Sequence, residues 1–402
     1  MTLVRKQVVF QPVDVVIASG TRSLNDVVQG EKGEISPLAF AGGLRAALWP
    51  AAENSGKKDA LGIDTQNPDE PDGFRFIGPF LSDPTGQLWF PLPRHILVAP
   101  DEIPRYTLLT PETDYVYASD APLASCSVLT TESRQAEVAS EWLALPNLLE
   151  VLKTGSQWFI GEPREKWVRD EPRTGHHRTQ AGTVADEGGL YSRTALRFKE
   201  EVRPQGLAGA AYAGFVEICR DLDPALNTLK WVRLGGDGHM AACRVDNGTP
   251  AILDSINGDF ANAIFHSKRM ILYLATPAIF KAGWQPDWSR LPDLHNNWAL
   301  KAAAVGRPIP IAGWDYSKGG PRPVYRAVPP GSVYFLEAPD GLDLCKVKKI
   351  VEKFTLSESV SDHYGRLGFG FTLVGVWYDQ KSGPAKEGGA HATPASGKED
   401  CL

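Results

Sequence analysis

Glycine and proline set the grain of this chain, with 39 glycines and 31 prolines among 402 residues. Glycine inside a helix costs backbone entropy and proline removes a backbone donor. A chain so punctuated favours many turns and short strands over long helices. Its length passes the point at which one hydrophobic core stops growing, so two domains are expected. With 43% hydrophobic and 22% charged residues it carries enough apolar surface to fold. No apolar run reaches the roughly 18 residues a membrane span needs. Gln11, Pro12 and Asp14 interrupt the only apolar stretch near the N-terminus, which makes a poor signal peptide. The expectation is a soluble, cytoplasmic protein with no membrane partner.

The formal net charge of −6 argues against a protein that coats nucleic acid indiscriminately, but leaves room for a local basic groove. The five cysteines, Cys126, Cys219, Cys243, Cys345 and Cys401, are widely spaced. Without a Cys-x-x-Cys pair they form neither a zinc ribbon nor a dithiol, and they read as buried thiols plus one in a tail. The carboxylates show no compact metal-binding cluster. Neither a Gly-x-Ser-x-Gly elbow nor a His-Glu-x-x-His pair occurs. No metal, no cofactor and no catalytic constellation are expected, and binding is the favoured activity.

Val8 to Ala18 is rich in β-branched residues and predicts a strand, with Pro12 marking an edge or a bulge. Ser36-Pro37 opens a helix, serine as N-cap and proline at the first helical position, running to Trp49 and closed by Pro50. Gly42 and Gly43 inside it point either to a ligand approaching the helix backbone or to tight packing on a sheet. From Ala51 to about Arg203 periodicity is weak, and the stretch reads as insertions draped on a scaffold, with a short helix at Glu141 to Leu152. Pattern returns after Leu207. Strands are expected at Ala208–Ile218, Leu229–Leu234, Met240–Val245, Arg269–Ala275, Val333–Glu337 and Phe369–Tyr378, with a helical turn at Asp223–Thr228. Leu342–Phe354 fits strand or helix. Residues 379–402 read as a disordered tail.

Leu234-Gly235-Gly236-Asp237-Gly238-His239 lies between two expected strands. A phosphate-binding loop needs its glycines between a strand and a helix N-terminus, so a hairpin turn is the simpler reading. Such a turn also lets another backbone, RNA included, come close. Gly368-Phe369-Gly370-Phe371 echoes the strand on which RNA-recognition motifs stack bases. Between Lys301 and Arg326 five cations, Lys301, Arg307, Lys318, Arg322 and Arg326, face Asp315 alone, interleaved with Trp314 and Tyr316. That mixture suits a single-stranded nucleic acid, or else a solvated loop. A second basic loop, Arg169 to Arg178, contains Arg173, His176, His177 and Arg178.

Taken in order, these pieces resemble the RAMP superfamily of CRISPR systems, and within it subunit three of the type III-B (Cmr) effector complex. The segments that carry the resemblance are Phe10–Asp14 leading to Ser19-Gly20-Thr21-Arg22, Ser36–Leu48, Phe76–Phe80 with Phe90–Pro93, and Leu234–Gly238. Arg326–Tyr334 and Gly368–Gly375 complete them, so that the likeness spans Val8 to Trp377.

The resemblance implies an α+β fold of two ferredoxin-like (RNA-recognition-like) domains. Residues 1–250 would form the first, with insertions over about 51–203, and 251–378 the second, with its glycine-rich segment. It further implies a non-catalytic subunit that caps the 5′ handle of the CRISPR RNA (crRNA). Its partners in the hetero-oligomer would be the large polymerase-like subunit and a backbone RAMP subunit. On that reading Arg22 and Arg45 bind handle phosphates beside Gly42 and Gly43, Lys318, Arg322 and Arg326 form a second clamp, and His177 and Arg178 a third. Gly236, Gly368 and Gly370 would admit RNA to the backbone. Two alternatives are a RAMP endoribonuclease using His177 or His239 as general base, and a small-molecule enzyme using the Gly235–Gly238 turn.

Overall fold

The computed structural model describes residues 2–17, 35–63, 65–99, 103, 105–112, 128–130, 136–176, 190–203, 206–235, 238–247, 256–295, 298–315, 319–338 and 341–378. The elements that build the two principal sheets begin with strands β1 (Leu3–Pro12) and β2 (Val15–Ile17), helix α1 (Pro37–Asn54), and strands β3 (Phe74–Ser82) and β4 (Leu88–Pro91). Strand β5 (Glu141–Ala144), helix α2 (Leu145–Thr154), and strands β6 (Glu162–Pro163), β7 (Val168–His176) and β8 (Leu190–Phe198) follow. Next come β9 (Ala211–Cys219), β10 (Trp231–Arg233), β11 (Met240–Asn247), α3 (Ile256–Ser267) and β12 (Arg269–Leu274). Strands β13 (Ala299–Ala304) and β14 (Val333–Glu337), helix α4 (Leu344–Phe354) and strand β15 (Thr372–Gly375) complete the set.

The fold is mixed α and β, and its sheets are antiparallel. The larger sheet has eight strands in the order β6-β5-β4-β3-β9-β1-β11-β10. The second has four, β13-β14-β12-β15. Among the long strands of the first sheet the spatial order is β3-β9-β1-β11, so in both sheets the first strand sits between the third and the fourth. A three-stranded ribbon, β7-β8-β2, stands beside the first sheet.

Alternation along β1 explains the layering. Val8 and Phe10 are fully buried against α1, whereas Val9 faces the other side. Phe40, Leu44 and Leu48 line the buried stripe of α1 at helical spacing, each worth about 1.5–3 kcal/mol of burial. Phe40 meets Phe10 edge-on at 5.2 Å and stacks on Phe76 at 6.0 Å. The opposite face of the sheet, with Val9, Ile77, Phe80 and Phe215, joins one apolar cluster that also holds Leu148 and Leu152 of α2 and Ile271, Phe335 and Trp377 around the second sheet. Hydrogen bonds pin this junction. The Tyr273 hydroxyl donates to the Pro91 carbonyl at 2.7 Å, and the Val376 N–H to the Leu152 carbonyl at 2.7 Å.

Several elements depart from expectation. The strand expected at Val8–Ala18 starts at Leu3 and breaks after Pro12, and β2 leaves for the ribbon. Pro12 therefore ends an inner strand and marks no edge, because a residue without an N–H stops the ladder. Helix α1 continues through Pro50 to Asn54. The missing donor of Pro50 removes one bond, while Ala51 and Ala52 propagate well and Ser55 caps on the Ala51 carbonyl at 3.0 Å. Phe74–Ser82, inside the stretch read as peripheral insertion, is an inner strand with Phe74, Phe76 and Ile77 fully buried. Glu141–Leu152 divides into β5 and α2. The expected loop at Arg169–Arg178 is strand β7 as far as His176. Leu342–Phe354 resolves as helix α4, capped by Asp343. The final strand covers only Thr372–Gly375. No helix among the described residues is long and apolar enough to cross a membrane.

One buried base gives this core a pH signature. His95 is enclosed edge-on to Phe335 at 5.5 Å, and its Nδ1 has no hydrogen-bond partner among the described residues. Burial pushes its pKa from 6.5 down to about 3. Between those values the unfolded chain takes up a proton that the folded chain refuses. Stability is therefore whole above pH 6.5 and falls by about 1.4 kcal/mol per unit on acidification, levelling near the folded pKa. Urea denaturation at a series of pH values should show this slope reduced by one proton in His95→Leu. An identical slope in the variant would mean that His95 is protonated in the fold.

Candidate nucleic-acid interface

The Ser36 hydroxyl accepts from the Leu38 N–H at 3.3 Å and starts α1 as expected. The two glycines of this helix then divide. Gly43 is a packing residue, because an added Cβ would overlap the Arg233 carbonyl oxygen and lie 2.7 Å from Val232 Cγ1. Gly42 has none of the described residues within 4 Å of the same position and is exposed, so the helix backbone is open there among them. Gly235, at φ +82°, sits against the end of β2, where an added Cβ would stand 2.7 Å from the Ile17 carbonyl oxygen. The Leu234 N–H donates to the His239 carbonyl at 2.9 Å, closing a hairpin between β10 and β11. This glycine run joins two strands and precedes no helix, whereas a phosphate-binding loop places its glycines before a helix N-terminus. Gly43 on β10 and Gly235 on β2 thus gather three of the segments that the sequence singled out.

Arg45 and Arg322, expected in separate phosphate clamps, meet each other instead. Arg322 Nη1 lies 2.6 Å from Asp69 Oδ1, with the guanidinium 5.6 Å over the Tyr364 ring. Arg45 Nη2 donates to the Gly62 carbonyl at 3.0 Å. Burial, with a smaller push from the Arg322 charge, lowers the Arg45 pKa to about 10, and Asp69 and Asp315 oppose the shift. Arg45 thus ties α1 to Gly62, and Arg322 ties its own loop to Asp69, so both guanidiniums already have partners within the chain. Arg326 is exposed, on a short strand, Tyr325–Ala327, paired with Ile309–Ile311.

Gly368 and Gly370 lie in the interior. Both are buried, at φ +104° and +73°, and Phe369 and Phe371 are fully enclosed. A Cβ on Gly368 would lie 2.6 Å from the Gly78 carbonyl oxygen, and one on Gly370 2.6 Å from Ser361 Cβ. The glycine-aromatic run is a tight turn entering β15, and its rings belong to the core rather than to a base-stacking surface. In the ribbon, Arg173 is engaged by Glu171 at 2.9 Å and Asp14 at 3.5 Å. Arg197 and Arg173 together push the Glu171 carboxyl down to about 2. Arg22, His177, Arg178, Gly236 and Lys318 lie outside the described residues. No cluster of three or more His, Cys, Asp or Glu side chains able to hold a metal occurs among the described residues.

Sequence reasoning passed over the outer face of the β10–β11 hairpin, where Trp231 and Arg233 flank the inward Val232. The signal was available: period-two alternation places the two on one face.

Comparison with known proteins defines the chain as CRISPR-associated. The family model described as CRISPR-associated protein (Cas_Cmr3) matches residues 10–377, and the chain belongs to that family. No curated protein matches it significantly. Among solved structures it is similar to a chain of the type III-B Cmr-beta bound to cognate target RNA and AMPPnP, with 15% identity over 90% of this chain and 94% of that one, at a TM-score of 0.45. A chain of the type III-B Cmr-beta bound to cognate target RNA gives 16%, 90%, 95% and 0.43. A chain of the Csm3-Csm4 subcomplex of the type III-A CRISPR-Cas interference complex gives 11%, 83%, 94% and 0.35.

Proposed function

We propose that the chain is a non-catalytic RNA-binding subunit of a type III-B ribonucleoprotein in the cytoplasm, capping the 5′ handle of the crRNA. The observation that carries this is the family match across residues 10–377. The strand order shared by the two sheets supports reading each as a ferredoxin-like unit, one within residues 1–250 and one within 251–378. RNA would approach the open backbone at Gly42, with Arg22 and Arg326 on phosphates and Gly236 admitting RNA to its backbone. His177, Arg178 and Lys318 would extend the contact. Protein partners, the large polymerase-like subunit and a backbone RAMP subunit, would cover apolar surface such as the exposed Ile103, Val138, Trp158 and Ile160.

The test uses the intact chain and a handle RNA. Arg22→Ala combined with Arg326→Ala is expected to weaken binding and to lower the salt slope by roughly 0.7 per lost phosphate contact. Arg45→Ala should act on stability instead. Unchanged affinity and slope in the Arg22/Arg326 variant would overturn the site. Metal-independent cleavage of the RNA, abolished by a single histidine substitution, would overturn the non-catalytic role.

A further inference from the structure

The outer face of the β10–β11 hairpin has no function in the reading above. It lies on the side of the sheet away from α1, because Val232, Ala241 and Cys243 point inward while their neighbours alternate outward. The register sets the neighbours: Trp231 stands opposite Ala242, and Arg233 opposite Met240. Trp231 is 53% exposed, although tryptophan normally buries most of its surface. The methyl of Ala242 is the shortest side chain that could stand across from an indole, so the cross-strand neighbour cannot cover the ring. Met240 is exposed beside it, and exposed Val13 donates its N–H to the Met240 carbonyl at 3.1 Å. Arg233 and Arg244 are exposed on the same face, and the carboxylate attached to the group is Asp246, 3.0 Å from Arg244. β10 is an edge strand, so no strand among the described residues closes this face on its far side.

We propose that this face binds unpaired RNA, with one base stacked on Trp231 and the adjoining phosphates on Arg233 and Arg244. The chemistry favours nucleic acid over protein. A flat indole flanked by two guanidiniums, in a chain of net charge −6, matches a ligand that is aromatic and anionic together. A hydrophobic protein partner would instead leave two arginines facing an apolar surface. The proposal rests on the chain being an RNA-binding subunit, and it adds a contact on the face opposite Gly42.

The experiment measures affinity of the intact chain for a single-stranded oligouridine, with ultraviolet crosslinking and peptide mass spectrometry. Trp231→Ala is expected to lose about tenfold in affinity, the size of one base–aromatic stack. Trp231→Phe should restore much of it. Arg233→Ala with Arg244→Ala should lower the salt slope by about 0.7 for each phosphate released. The melting temperature should hold in all three, since the side chains are exposed. An RNA adduct on the peptide spanning β10 or β11 supports the assignment. Affinity unmoved by Trp231→Ala but lost in Arg22→Ala would overturn this contact alone, whereas an unsubstituted chain that binds no RNA would overturn both readings. Loss of a protein partner in Trp231→Ala with RNA affinity intact would make the face a protein interface and overturn the proposal.

Discussion

Alanine at Gly368 or at Gly370 is expected to lower the free energy of unfolding by about 3 kcal/mol or more, with RNA affinity of the surviving folded fraction unchanged. Two costs combine at each position. The backbone stands at φ +104° and +73°, where a side chain is strained. The new Cβ would also press on rigid neighbours: the Gly78 carbonyl at 2.6 Å and Pro37 Cβ at 2.7 Å for Gly368, Ser361 Cβ at 2.6 Å and Ser359 Oγ at 2.8 Å for Gly370. The turn cannot shift without cost, because the Gly370 N–H donates to the Pro277 carbonyl at 2.8 Å and the Phe371 N–H to Thr276 Oγ1 at 2.9 Å. A loss of this size is a large share of the 5–15 kcal/mol typical of a domain. Chemical denaturation with RNA titration of the same samples separates the readings. Wild-type stability with weakened RNA binding would return these glycines to the interface.

Asp69→Ala should be the next most damaging change, costing about 2 kcal/mol. Its carboxylate holds Arg322 at 2.6 Å, and side-chain exposures of 14% for Arg322 and 32% for Asp69 place the pair partly out of water. Removing the anion leaves Arg322 and the half-buried Arg45 repelling each other, with Asp315 as a remaining counter-charge. Fully enclosed pairs lose 3–5 kcal/mol when one partner is deleted, and solvent screening reduces the figure here. Arg322→Met in the Asp69→Ala background should recover part of the loss, and a double-mutant cycle in urea measures the coupling. A neutral Asp69→Ala with reduced RNA affinity would mean that Arg322 faces the ligand.

What the sequence made legible was local chemistry. The Ser36-Pro37 helix start, the hairpin at Gly235–Gly238, the strand Val333–Glu337 and the helical turn after Asp223 follow from side chains that act on their own backbone. What it withheld was long-range packing. Nothing near Phe74 says that Phe76 will stack beneath Phe40, since the partners are brought together by the sheet. The adjacent Gly42 and Gly43 are alike in sequence, and only the position of β10 decides which one is pressed and which one is open. Arg45 and Arg322 belong to patterns far apart in the chain, so their meeting at Asp69 had no sequence signal. Binding arginines were sought where cations cluster, and that criterion passes over Trp231 and Arg233, which a two-residue alternation places together.

The junction between α2 and the last described residues also orders events during synthesis. Leu152 accepts from Val376 at 2.7 Å, the Lys153 carbonyl accepts from the Tyr378 hydroxyl at 2.9 Å, and Trp377 belongs to the same core as Val9. The apolar face of the first sheet, covered in part by α2, therefore waits for the rest of its cover until the second sheet has left the ribosome. During that interval it is exposed to chaperones and to self-association. A stalled or truncated nascent chain would present that face to the cell, and the quality-control machinery would meet the protein as an unfinished half rather than as a folded domain with a missing neighbour.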